Sequence, residues 1–506
     1  MMKTRFSNAV LALVGLLIFS GLVSCEKGLE NKTYGTFSGD NFFKTASDAG
    51  AAVNAMYTGL TEGGGYAAGW GAAQGSFRVQ AGQTTDEGVC NWGDGGSWSN
   101  LNNLNFTPDF GSLTNHYRTL MPFISQITVN ISKIQNIEMD ATLKSRYIAE
   151  LKGLRGYYSQ ILYLYYGPVP IRLDASAVNN PAAPVLPRPD KTEMINNIVK
   201  DLTEAAAGLP DKFTGADYGR FSKAACYTAL LKLYMQEKRW DDAIDMGGKI
   251  KALGFSLIPK YEDNFNINAK GGNTELILAV VCSANNGVFN NRWLAHALPP
   301  DYVDPSGIPL TAWGGYRMPW KTYDKFDQSD KRLVVLLQKY PVGRNADGSL
   351  KLRDARAGGD IGAVMVKFGP DPSKTNSELS SIDEPVFRYA DVELLLAEAI
   401  NEKNNGPTAE AYDLINDVRT KHGGLPAYTI GTLNHDQFLA KLQDERLFEL
   451  WAEGVRRDDL IRWGQYIKRA KDDGSTFADE NKVLYPLPRD VVNQSNGVIK
   501  QNPGYN

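Results

Sequence analysis

Apolar residues recur at three- and four-residue intervals through two long tracts of this chain, with stretches between them where the rhythm stops. The run Tyr147, Leu151, Leu154, Tyr158, Ile161, Tyr165 predicts one long helix, and Gly153 and Gly156 leave room on it for a close neighbour. Gly167 and Pro168 end it, because glycine accepts a left-handed backbone and proline cannot continue the hydrogen-bond ladder. Ser222 reads as an N-cap. After it, Tyr227, Leu230, Leu231 and Tyr234 fill one helix face, Glu237 to Trp240 turns the chain, and Ala243 and Ile244 open a second helix. Bulky residues on the first helix and a small alanine on the second let the pair nest, which is the tetratricopeptide pattern. A looser copy runs from Phe387 to Arg419, with Leu395 and Ala399 on its first helix and Ala411, Ile415 and Val418 on its second. Helical stretches near 40–60, 113–138, 141–166 and 191–208 bring the expected set to about four degenerate repeats, since two alone are too few for a solenoid.

Elsewhere the pattern changes. The Gly-, Asn- and Trp-rich residues 63–105 show no helical period and read as loops. Residues 256–385 read as a less regular insertion, with a strand candidate from Thr274 to Val281. Residues 465–506, rich in Pro and Asn, read as an irregular closing segment. The expected fold is mainly α. A discontinuous tetratricopeptide-like scaffold spans 40–255 and 386–464, the loop-rich insertion with short strands spans 256–385, and the C-terminal segment packs on the scaffold.

The N-terminus reads as an export signal. Lys3 and Arg5 precede an apolar core, Val10 to Phe19, too short to span a bilayer, and Leu22-Val23-Ser24-Cys25 matches the bacterial lipoprotein processing pattern. Removal of residues 1–24 would leave Cys25 to carry lipid and residues 25–39 as a tether. No later stretch is long and apolar enough to cross a membrane, so the expectation is a protein anchored to a membrane rather than spanning it; the family resemblance described below implies the outer membrane, facing the cell exterior.

Charge and motif content narrow the chemistry. Lys plus Arg is 54 and Asp plus Glu is 57, a formal charge of −3, which argues against nucleic acid as a partner. The four histidines are scattered, and neither an HExxH nor a CxxC spacing occurs. Asp301 to Asp304 offers oxygens to calcium, but no metal or other cofactor is expected. Once Cys25 is lipidated, Cys90, Cys226 and Cys282 remain, an odd number with no obligatory disulfide expected. There is no Gly-x-Ser-x-Gly elbow, P-loop or dinucleotide fingerprint, so the chain does not read as an enzyme.

Tryptophan is the exception to this blandness. Of nine, Trp240, Trp451 and Trp463 fall on expected helices. Trp70, Trp92 and Trp98 fall in the Gly-rich stretch, and Trp293, Trp313 and Trp320 fall in the insertion. An indole held out on a loop offers a flat apolar face to the C–H face of a sugar ring, and polar neighbours can meet its hydroxyl rim. Arg78, Gln83, Asp86, Glu87, Asn91, Asp94 and Asn100 surround the first group; Asn290, Asn291, Arg292, Tyr316 and Arg317 surround the second. The candidate ligand set is Arg78, Asp86, Trp92, Trp98, Asn100, Trp293, Trp313, Tyr316 and Trp320. No catalytic residue is expected.

The segment Asp444 to Gly464 reads as an amphipathic, charge-crowded helix on which Glu453 and Arg457, one turn apart, are expected to pair. It resembles the C-terminal signature of the SusD/RagB family of nutrient-binding outer-membrane lipoproteins. Three other segments carry the same resemblance in the family's order: Leu154-Arg155-Gly156-Tyr157-Tyr158 through Tyr166-Gly167-Pro168-Val169-Pro170, then Phe387 to Ala399, then Leu484-Tyr485-Pro486-Leu487-Pro488 with Gln501-Asn502-Pro503-Gly504-Tyr505. The resemblance implies capture of an oligosaccharide or polysaccharide on a loop surface that includes Thr84 to Glu87 and the Trp-bearing segment after it. It also implies a SusC-like TonB-dependent barrel as partner, over which the protein closes as a lid. A peptide-binding, RagB-like member and an extracellular hydrolase are the alternatives.

Overall fold

The computed structural model describes residues 42–61, 69–373 and 378–505; the export signal, Cys25 and the tether lie outside these described residues. The chain divides into an N-terminal unit, Met1–Lys44, and a larger unit, Thr45–Asn506. In the first, Phe42 meets Phe43 edge-on at 4.7 Å between ring centroids. The described helices and strands lie in the second. The principal helices are α1 (Ala46–Met56), α2 (Phe77–Gln83), α3 (Ser97–Asn102), α4 (Gly111–Gln135), α5 (Ala141–Tyr166), α6 (Lys191–Gly208), α7 (Lys223–Gln236), α8 (Trp240–Lys251), α9 (Trp293–Ala297), α10 (Tyr389–Asn404), α11 (Ala409–Lys421), α12 (His435–Leu450) and α13 (Arg456–Arg462).

The helices stack in chain order: α4 on α5, α5 on α6, α6 on α7, α7 on α8, then α8 on α10 and α10 on α11 and α12. This is the mainly α, tetratricopeptide-like scaffold expected. Its close approaches fall at the small residues. A Cβ on Gly153 would lie 2.7 Å from Phe221 Cδ1, and one on Gly156 would lie 2.9 Å from Leu202 Cγ. At Gly247 of α8 it would lie 2.9 Å from Leu396 of α10, so the two repeat tracts meet where a larger residue does not fit. Ser222 caps α7 by accepting from the Ala225 amide at 3.3 Å. Gly167, at φ 72°, ends α5.

Among the described residues, eight short strands accompany the helices: β1 (Val89–Cys90), β2 (Leu276–Val280), β3 (Tyr316–Pro319), β4 (Leu336–Leu337), β5 (Lys339–Arg344), β6 (Leu350–Asp354), β7 (Gly362–Met365) and β8 (Glu384–Arg388). β2 is the strand expected between Thr274 and Val281, and it pairs antiparallel with β8. The order β1-β3-β7-β4 makes the largest sheet, in which Val89 opposes Arg317 and Cys90 opposes Tyr316. That pairing ties the Gly-rich stretch to the insertion across more than 220 positions of chain.

Two expectations are corrected. The stretch 63–105 is not all loop, because Ser76 caps α2 and α3 follows a left-handed Gly96. These helices are too short for their periodicity to show in sequence. The charge-rich segment Asp444–Gly464 is not one helix either: α12 stops at Leu450 and α13 starts at Arg456, with Ala452 at φ 57° and Gly454 at φ 77° between them. Side chains satisfy the backbone groups freed at the break. Lys367 Nζ donates to the Trp451 carbonyl at 2.5 Å, Tyr261 donates to the Glu449 carbonyl at 2.8 Å, and the Ala452 amide donates to Glu87 at 3.2 Å.

The break also redirects the charges. Glu453 pairs with Arg388 and Lys367 rather than with Arg457, whose guanidinium lies over Tyr165 and Tyr485 and is bonded to backbone carbonyls. Arg388 sits among Glu275, Glu449 and Glu453, and Arg332 among Asp330, Glu445 and Glu449, all buried. The segment thus contributes to an ionic core of the fold, where carboxylates and guanidinium groups meet shielded from bulk solvent.

Candidate functional site

β1 and β3 bring the loop tryptophans together. The Asn91 amide donates to the Gly315 carbonyl at 2.8 Å, and the Asn91 side chain donates to Gly314 at 3.0 Å. From the other side, the amides of Trp313 and Gly315 donate to carbonyls of α9, Ala295 and His296, both at 2.7 Å. Gly314 takes φ +71° at this turn, a conformation that costs glycine least. Three segments far apart in sequence are thereby clamped into one aromatic cluster.

Tyr316 lies at its centre. Its ring centroid is 5.4 Å from Trp293, 5.5 Å from Trp98 and 5.7 Å from Trp92, and His296 stacks on it at 5.5 Å. Trp92 meets Trp98 at 5.8 Å, and His296 meets Trp313 edge-on at 4.7 Å. Centroid spacings of this size are those of tilted and edge-to-face aromatic pairs. The cluster grades from inside to outside. Trp293, Tyr316 and Trp98 are buried, Trp92 is partly buried, and Trp313 is 39% exposed.

The buried members are locked by their polar ends. Trp293 Nε1 donates to the Met365 carbonyl at 2.9 Å, Trp98 Nε1 to Asp94 at 2.7 Å, and the Tyr316 hydroxyl to the Ala72 carbonyl. Arg78 lies beneath, its guanidinium 5.0 Å from the Trp293 ring centroid and 4.9 Å from that of Phe368, while bonding Glu384 at 2.7 Å and the Gly71 carbonyl at 3.1 Å. Asp86 is paired through both oxygens with Arg456 at 2.8 Å; burial opposes its charge, but the guanidinium holds it well below the usual carboxylate range.

Arg78, Asp86, Trp98, Trp293 and Tyr316, read from the sequence as ligand-surface residues, are buried. Their polar atoms are engaged within the fold. Asn100, on α3, is partly exposed and accepts from Asn105 at 3.1 Å. Trp320 stands apart: its ring meets Tyr323 and the Arg356 guanidinium, and its indole donates to the Asp360 carbonyl at 2.7 Å. Trp92 and Trp313 are therefore the outward members. His296 is a member that sequence reasoning missed, since a single histidine in an apolar run carries no spacing signal. Burial pushes its imidazole down to about 4, so it is a neutral ring at neutral pH.

Glu275, His422 and Glu449 bring ligand atoms within 4.8 Å of one another in the buried core. Arg388 Nη1 already bonds both carboxylates, reaching Glu449 at 2.8 Å, and so holds the place of a cation. Burial disfavours the charge on His422, but Glu449 and Glu275 overcome that and raise it to about 10. Asp301, in the acidic loop, accepts from Tyr340 at 3.0 Å and Arg353 at 2.9 Å, and Asp304 caps Ser306.

Two family models match the chain, together spanning more than half of it. The model described as SusD family matches residues 352–505, and the one described as starch-binding associating with outer membrane matches residues 40–235. SusD-like protein P25 of Formosa agariphila is 27% identical over 364 residues, covering 67% of this chain and 68% of that one. The starch-binding protein SusD of Bacteroides thetaiotaomicron is 23% identical over 484 residues, covering 83% and 84%. Among solved structures, a laminarin binding SusD-like protein superposes with a TM-score of 0.75 at 23% identity, covering 91% of this chain and all of that one, which is a likeness of fold.

Proposed function

The chain belongs to the SusD/RagB family, and from that premise we propose that it is a lipid-anchored cell-surface protein that captures glycan and delivers it to a SusC-like TonB-dependent transporter, closing over the barrel as a lid. The observation that carries the capture step is the outward pair Trp92 and Trp313, backed by a rigid stack of buried rings. Their indoles offer apolar faces to the C–H face of a sugar, and Asn100 lies nearby on α3 to meet hydroxyls. Rings already packed and hydrogen-bonded lose little freedom when a ligand arrives, so most of the stacking energy is kept for affinity. Binding of this kind makes and breaks no covalent bond and requires no cofactor. The names of relatives, starch-binding in one case and laminarin binding in another, support glycan over peptide as the ligand class.

Retention on immobilised laminarin and starch tests the reading, with Trp92→Ala and Trp313→Ala as variants. The parent is expected to be retained on at least one, and each variant to lose about tenfold in affinity. Retention of peptides but of neither polysaccharide would move the assignment to a peptide-binding member, and release of new reducing ends would move it to a hydrolase. Replacing Cys25 by Ser is expected to free the protein from the membrane. Co-purification of the Cys25 form with a large β-barrel from outer membranes tests the partner.

A further inference from the structure

A second cleft, sharing no residue with the Trp92–Trp313 surface, opens within the helical scaffold. The end of α7, the start of α8, α10, α12 and the end of α13 enclose a cavity of about 490 Å³. That is within the roughly 300–1,000 Å³ usual for small-molecule sites. Two indoles line it: Trp240, the first residue of α8, and Trp463, just past α13.

Its polar groups are of two kinds. The carboxylates are already paired, and Lys238 is exposed. Buried Glu398 accepts from Arg462 through both oxygens at 2.7 Å and from the Trp463 indole at 2.9 Å, which also fixes that ring. Glu402 meets His435 at 3.1 Å. The amide groups are only half used. Gln465 donates to Gln443 Oε1 at 3.1 Å, while the Gln443 amide N–H groups and the Trp240 indole N–H have no acceptor among the described residues. Leu439 and Ile461 supply the remaining apolar wall.

An anion entering here would face Glu398 and Glu402, and a cation would face Arg462 and Lys238. A neutral ring with an apolar face and hydroxyls around its rim meets no opposed charge; it finds the indole of Trp240, that of Trp463 with the Arg462 and Arg456 guanidinium groups over its ring at 5.2 and 5.8 Å, N–H donors and an amide oxygen on Gln465. We infer that the cleft between Trp240 and Trp463 is a second, independent binding site for a neutral sugar unit, carried by the helical scaffold itself. A chain with two such sites holds a polysaccharide at two points, which raises avidity without altering either contact.

Indole ¹⁵N–¹H spectra of the mature chain test this, with the nine tryptophan signals assigned by single Trp→Phe variants. The probes are glucose, galactose, mannose and laminarihexaose, with glucuronate and glucosamine as charged controls. The Trp240 and Trp463 signals are expected to move together and saturably with at least one neutral probe. They are expected to do so equally in a Trp92→Ala/Trp313→Ala variant. Gln443→Ala, which removes donors but no helix contact of α8, is expected to weaken that response about tenfold. Stationary Trp240 and Trp463 signals with all four neutral probes would overturn the inference, as would equal responses to the charged controls. The proposed surface is judged separately, by the Trp92 and Trp313 signals, so either site can fail while the other stands.

Discussion

The indole N–H of Trp92 donates to the backbone carbonyl of Trp313 at 2.9 Å, joining residues 221 positions apart. One outward ring thereby fixes the backbone that carries the other. The two act as a unit whose geometry depends on the β1–β3 pairing beneath them, and disturbance of one is felt by both.

Gly315 tests that coupling without replacing either ring. A Cβ there would lie 2.6 Å from Trp92 Cζ2, so Gly315→Ala must displace the indole. Affinity for laminarin or starch is expected to fall about tenfold, with a stability cost of about 1–3 kcal/mol from overpacking. Retention on polysaccharide and a urea melt of the same preparation check both numbers. Unchanged retention would show that the position of Trp92 is immaterial to binding.

Arg388 is expected to be the most costly single charge to remove. It holds Glu275, Glu449 and Glu453 in the dry centre of the fold. Arg388→Met leaves three carboxylates short of their partner and is expected to cost about 3–5 kcal/mol at pH 7. Breaking the exposed Lys249–Asp245 pair by Lys249→Ala is expected to cost less than about 1 kcal/mol. Denaturant midpoints of the two variants give the comparison, and similar losses would refute the assignment of Arg388 to an ionic core.

Asp86 and Glu87 are adjacent and shifted oppositely. Burial pushes the Glu87 carboxyl up to about 8, although Arg456 opposes it, whereas Asp86 takes Arg456 as its direct partner. An unfolded glutamate titrates near ~4.3. Between that value and about 8 the folded chain holds a proton at Glu87 that the unfolded chain has lost, so this group's contribution falls as pH rises through the window. Asp86 behaves oppositely: its stabilisation is present above the usual aspartate range and is lost only in acid. Glu87→Gln mimics the protonated form. Its stability relative to the parent is expected to grow from pH 5 to pH 8, by an amount on the order of a few kcal/mol. Melting both chains across that range cancels titrations of groups uncoupled from Glu87. A constant difference would mean Glu87 is ionised in the fold.

Helix contact at Gly156 is expected to be intolerant of one methyl. Gly156→Ala places a Cβ 2.9 Å from Leu202 Cγ and is expected to cost about 1–3 kcal/mol. Combined with Leu202→Ala, the two losses are expected to fall short of additive by about 0.5–3 kcal/mol, since the smaller side chain leaves room for the methyl. Strict additivity in a double-mutant cycle would place the strain elsewhere.

The α-helical pairs were legible in the sequence because each is a local matter. Tyr227, Leu230, Leu231 and Tyr234 followed by Ala243 predict a nested pair wherever they occur, and Ser222 and Gly167 mark ends by their own backbone preferences. Short helices such as α2 and α3 left no readable period. The strand at Leu276–Val280 was visible, but its partner Glu384–Arg388 was not, because pairing at that separation leaves no local trace.

The tryptophans show where that division falls. Composition alone singled out the loop indoles as the unusual feature, and the order of four short motifs pointed to one family. Which indoles face water was decided by the register of Val89 and Cys90 against Arg317 and Tyr316, a contact between distant segments. The same holds for the charges of Asp444 to Gly464. Read along the chain they resemble a solvated helix face, yet Lys367 and Arg388, far away in sequence, break that helix and draw its carboxylates inside. Periodicity is written residue by residue and can be read directly. Burial depends on what folds over a residue, and that is known only once the chain has closed on itself.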